Sequence, residues 1–124
     1  MRYDPMTGPD RDAWMALDEA EQTESVLRYH KRAKVRAGSL RVHAIIHAAV
    51  ETQLAEGHPS AIGALKRLVE EGLDRHEAIH AMGSVLSEQM YNALKGGKPV
   101  DPEAYYKRLD SLSAAAWRRE WGLK

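Results

Sequence analysis

Two pairs of histidines repeat at a spacing of four, His43 and His47 in "HAIIH" and His76 and His80 in "HEAIH". On a helix that spacing puts both imidazoles of a pair on one face, one turn apart, where they can share a metal ion. The second pair also encloses Glu77. His-Glu-x-x-His is the zinc-hydrolase signature, in which the glutamate acts as general base on a metal-bound water. Two other readings compete for the same residue. Glu77-x-x-His80 is the Glu-x-x-His unit of di-iron carboxylate bundles. Asp74-x-x-Glu77 is a capping-box pattern, which would commit the carboxylate to the helix N-terminus. Spacing alone leaves cap, base and ligand open.

The faces decide where the imidazoles point. Advancing about 100° per residue, His43 shares a stripe with Ile46, Val50 and Leu54, and His76 shares one with Ile79, Gly83, Met90 and Leu94. Both pairs are therefore expected to face the interior, and Gly83, Ala48 and Ala49 leave room for two helices to approach closely. His30 lies on a stripe with Thr23, Val26, Ala33 and Ala37. A lone buried histidine is more often a hydrogen-bonded core residue than a ligand, so His30 is the weakest histidine candidate. Glu51 follows His47 by four residues and reads as a ligand beside it or as a carboxylate orienting an imidazole. It lies roughly 12 Å along the axis from His43, too far for those two to share one ion. Glu88 is as far from His80 and reads as an outer or surface residue. His58, before Pro59, reads as helix-start chemistry.

The elements that must position these residues are helical. From about Asp10 to Arg36 the chain lacks Pro and Gly and favours helix, with Asp18-x-x-Glu21 marking an alternative start. Gly38 breaks the pattern and Ser39 caps a second helix that runs to about Glu56. Pro59 opens a third, ending at Gly72. Asp74 caps a fourth, about Arg75 to Lys95, closed by Gly96 and Gly97. Asp101-Pro102 opens a fifth, through about Leu112 and on toward Trp117 or Trp121. No segment alternates as a strand does. The expected fold is all-α, an antiparallel bundle of four to five helices over residues 10–117, preceded by a loose arm over 1–9.

Composition narrows the function classes. The 124 residues fit one domain, and the net charge of zero carries no global field toward nucleic acid or an anionic membrane. With no cysteine there is no thiolate ligand or thiol nucleophile. The N-terminus has no apolar leader segment and no run nears the roughly 18 apolar residues of a membrane span, so a cytoplasmic protein is expected. Arg28, Lys31, Arg32, Lys34, Arg36 and Arg41 form a basic stretch that could meet phosphate, but a solvated helix face explains it as well. Nucleic acid is not an expected partner. Trp117 and Trp121, four apart, are expected to pack on the bundle or on a second copy of the chain.

The run from His43 to Glu88 resembles an uncharacterised family of short bacterial proteins, catalogued as a domain of unknown function. The matching residues are His43, His47, Gln53 and Leu54, then His76 and His80, with "RYH" at 28–30 and "AYYKRL" from Ala104 also similar. Ser84 stands where some members are expected to carry an acid. The resemblance implies an all-helical protein with metal-ligand histidines and no assigned activity. The sequence thus points to a divalent transition metal (Zn, Fe, Mn or Ni), with His43, His47, His76, His80, Glu77, Glu51 and His30 as candidate ligands and Glu77 as the one candidate catalytic group. The alternatives are a zincin-like hydrolase built on "HEAIH" and a metal-free helical interaction module with a basic face.

Overall fold

Side chains supplied by the sequence start each of the longer helices. The computed structural model describes residues 2–33 and 39–120. Lys34, Arg36, Ala37, Gly38 and Trp121 lie outside them. The order is α1 (Arg11–Met15), α2 (Glu19–Arg32), α3 (Leu40–Ala55), α4 (Pro59–Glu70), α5 (Arg75–Gly96), α6 (Pro102–Ser111) and α7 (Ala114–Glu120). Among the described residues there is no strand. Asp18 and Glu21 form a full capping box on α2, and Asp74 and Glu77 form another on α5. Ser39 caps α3, and His58 and Asp101 cap α4 and α6, each followed by proline at the first helical position. Gly97, at φ +67°, ends α5 in the left-handed conformation that glycine adopts without a Cβ clash.

Among the described residues there are seven helices where four to five were expected, because two of the expected helices are broken. The first divides at Ala16–Asp18, where the Asp18 capping box restarts the chain as α2. The last divides after Ser111, where Leu112 turns extended (ψ 134°) and is buried. Arg67 holds that break, donating to the carbonyls of Leu112 at 3.0 Å and Leu109 at 2.7 Å, the latter also accepting from the Leu112 amide at 3.1 Å. The inward stripe of α5 also stops early. It is buried through Val85, whereas Leu94 is 83% exposed.

The buried apolar side chains form two clusters. One joins α4, α5, α6 and α7 around Leu68, Ile79, Met82, Leu109 and Trp117, with Val50 of α3. The other joins Tyr3, Trp14, Val26 and Leu27 to Ala44, Ala48 and Ala55 of α3. The arm expected to be loose is anchored in the second cluster: Tyr3 is 1% exposed, and Pro5 is buried. A hydrogen bond from the Gly8 amide to the Asp4 carbonyl closes the turn that follows, and Gly8 takes φ +77°. A Cβ there would meet the Arg75 guanidinium at 2.6 Å, so glycine lets the arm lie against the start of α5. No described helix is long and apolar enough to cross a membrane.

Candidate metal centre

Five histidines meet between the two clusters. His30 comes from α2, His43 and His47 from α3, and His76 and His80 from α5. The rings of His76 and His80 are 4.3 Å apart, those of His30 and His43 4.6 Å, and those of His47 and His80 5.3 Å. Close contact of α3 with α5 makes this meeting possible. Gly83 faces Ile46 so tightly that an added Cβ would lie 3.2 Å from the isoleucine methyl.

Hydrogen bonds fix which ring nitrogen of His30 and of His47 carries a lone pair. His30 Nδ1 lies 2.8 Å from the Val26 carbonyl, which only accepts, so Nδ1 is protonated and Nε2 is free to coordinate. The Tyr3 hydroxyl donates to the Glu51 carboxylate, so its oxygen accepts from His47 Nε2–H at 2.8 Å. That leaves the His47 lone pair on Nδ1. Among the described residues, three buried ring nitrogens have no hydrogen-bond partner: His47 Nδ1, His76 Nε2 and His80 Nε2. One ligand atom each from His30, His47, His76 and His80 lies within 4.8 Å of all the others. His43 stands beside this group, its Nε2 3.1 Å from His30 Nε2. Since His30 offers only a lone pair there, His43 is the donor.

Burial holds these rings neutral, the form that binds metals. It pushes the His80 pKa down to about 3, helped by His76, His43 and His30. His47 is driven well below the usual histidine range by burial and then by its four neighbours. Burial likewise lowers His43, with His30 and His76 adding to it. For His76, burial and His30 outweigh the opposing pull of Asp74, Asp4 and Glu51. His30 is lowered by burial against the Val26 hydrogen bond. Tyr3 is shifted upward by burial and by the Glu51 carboxylate, so its hydroxyl stays a donor.

The candidate carboxylates are engaged elsewhere. Glu51, 1% exposed, receives both arms of the Arg75 guanidinium at 2.7 Å and the Tyr3 hydroxyl. It reaches His47 only through Tyr3, as an orienting carboxylate does. Glu77 closes its capping box, accepting from the Asp74 amide at 3.0 Å while its own amide donates to Asp74 at 2.8 Å. Glu88 pairs with Arg108 at 3.5 Å near the surface. His58 accepts from the Ser60 amide and stacks on Tyr106. In the basic stretch, Arg41 pairs with Glu24 at 2.9 Å. Two residues of the site escaped the sequence reading. Arg75 had a usable signal, as the neighbour of His76 and a counterion for a buried glutamate. Tyr3 had none, being a single aromatic in a polar, turn-rich arm.

A family model described as "Domain of unknown function (DUF1841)" matches residues 21–111. The chain belongs to this family. The matched span contains all five clustered histidines, Glu51 and Arg75, while Tyr3 and Trp117 fall outside it. No curated protein and no solved structure matches the chain.

Proposed function

We propose that this DUF1841 protein binds one divalent transition metal ion per chain through His30, His47, His76 and His80. The observation that carries the reading is the convergence of three partnerless buried ring nitrogens with the His30 lone pair. A buried polar atom without a partner costs about 1–3 kcal/mol, and a cation between these rings would remove that cost at His47, His76 and His80. In a tetrahedral zinc site the ligand nitrogens lie roughly 3.4 Å apart, so the rings draw inward on binding. An all-imidazole set suits zinc, iron or nickel and is a poor home for manganese, which prefers oxygen donors. Glu51 and Glu77 are bound elsewhere, which supports a mononuclear site over a carboxylate-bridged pair of ions.

The test is elemental analysis of untagged protein, with His47→Ala and His80→Ala alongside. About one ion per chain is expected in the parent, and substoichiometric metal with a lower melting temperature in both variants. Unchanged metal content in both variants removes the ligand assignment. A folded parent that takes up no metal on titration removes the reading altogether, and the cluster is then a polar network of core histidines.

A further inference from the structure

We infer that His43 is the entry ligand of the metal site, taking a divalent transition metal ion from the neighbouring cavity and passing it to the four inner histidines. This rests on the metal reading above. Four imidazoles complete a tetrahedral set, so the fifth ring of the cluster has no seat in it. The four inner lone pairs are out of reach from solvent. His47 Nδ1, His76 Nε2 and His80 Nε2 are buried, and His30 Nε2 is covered by the His43 N–H at 3.1 Å. An ion can arrive only when one wall of the cluster opens.

Two sides of the cluster differ in what opening them requires. On one, Tyr3 lies edge-on to His47, and Tyr29 lies edge-on to His30 and His76. Tyr3 is held there by His47 and Glu51, and Glu51 by both arms of Arg75. The depression outside this wall carries Arg2 and Arg32 against Asp4, a balance that repels a cation. On the other side a cavity of about 340 Å³ borders His43, His47 and His80, and no Lys or Arg is among its described lining residues. There one neutral hydrogen bond, from His43 to His30, closes the wall. The cavity leaves the partly exposed His43 ring room to turn. Because His43 Nε2 carries the proton given to His30, its lone pair is on Nδ1. That nitrogen has no hydrogen-bond partner among the described residues and is not one of the three sealed ones. It can therefore meet an ion in the cavity. Beside the histidines, the polar side chains there are Ser84 and Ser87, and a hydroxyl holds a transition metal less well than imidazole does. A turn of the His43 ring breaks the bond to His30 and uncovers the His30 lone pair, so capture and opening are one movement. The His43 ring lies 4.6 Å from that of His30 and 4.9 Å from that of His80, beside two of the inner ligands.

The experiment mixes Co(II) with the metal-free full chain by stopped flow and follows the visible cobalt absorption; release is followed after mixing the loaded chain with excess chelator. His43→Phe keeps a ring of similar size and removes both the lone pair and the donor. It should bind one ion per chain with the parent's spectrum and no loss of affinity. Uptake and release should both slow by roughly tenfold or more, the effect of losing one modest interaction at the barrier, since a ligand that helps an ion in also helps it out. Ser87→Phe, which fills the cavity from its wall, should slow uptake likewise. Parent-like uptake in His43→Phe overturns the proposal and leaves the metal site standing. Parent-like uptake in Ser87→Phe also overturns it, by moving the route to another wall. A changed spectrum or weakened binding in His43→Phe would put His43 in the final coordination set, which overturns the entry role as well. A parent chain that takes up no cobalt overturns the metal reading and this one together.

Discussion

Tyr3 does two jobs with one hydroxyl. It gives its proton to Glu51 and takes one from His47, and so fixes the lone pair of His47 on the nitrogen that faces the other rings. Tyr3→Phe keeps the ring packing against Trp14 and Tyr29 and removes only this link. The apo-protein should lose about 1–3 kcal/mol, the cost of a buried donor and acceptor left short of a partner. Metal affinity should fall at least tenfold, as when an outer partner of a ligating histidine is removed. Denaturant unfolding of the apo form and a chelator competition assay separate the two effects. Lost stability with unchanged affinity would make Tyr3 a packing residue and nothing more. At this scale the His-x3-His pairs were legible, because four-residue spacing is a property of the helix itself. Tyr3 was not, since its burial depends on helices more than forty residues away. His30's place in the cluster was less legible for a related reason: it has no second histidine a turn away, and its neighbours arrive from α3 and α5.

The capping boxes belong to the scale of the element, and Glu77 is best tested there. With its carboxylate on the Asp74 amide, Glu77→Ala should cost about 1 kcal/mol and leave metal content unchanged. Glu77→Gln should be nearly neutral, since glutamine serves the same box. A loss of bound metal in the glutamine variant would return Glu77 to the ligand set. Helix starts were the most legible part of the fold, because Asp18, Ser39, Asp74 and Asp101 act on amides two or three residues away. The breaks at Ala16–Asp18 and after Ser111 were less so. The second depends on Arg67, which reaches two carbonyls from a different helix. The periodicity of α5 continued to Leu94 although the packing did not, since a stripe records a face and says nothing of whether a neighbour covers it.

For the whole molecule the histidine cluster sets a dependence on acid. Each of the five rings has its pKa lowered on folding. An unfolded histidine titrates near 6.5, so below that pH the unfolded chain takes up protons that the folded chain refuses. The stability they contribute is complete above about pH 6.5 and drains away as pH falls toward the folded values, which for His80 means about 3. The apo-protein should therefore show a flat unfolding midpoint above pH 7 and a falling one between about 6.5 and 5, before most carboxylates titrate. A midpoint that stays level down to pH 5 would mean that the rings are already charged in the fold. Metal should oppose the decline near neutrality and be released as protons compete for its ligands.

The two apolar clusters give the ion a mechanical meaning as well. α3 contributes to both, but the remaining helices divide between them, and the imidazoles of α2, α3 and α5 meet at the seam. Without an ion, the seam is held by the faces of α3, by the Glu51–Arg75 pair and by a set of rings short of partners, so either half can loosen ahead of the other. An ion tied to His30 on one side and to His76 and His80 on the other would join the two clusters through its own bonds. Metal would then govern the cooperativity of the chain as much as its stability, and a half-open form, with one cluster intact and the other frayed, would exist only while the centre is empty.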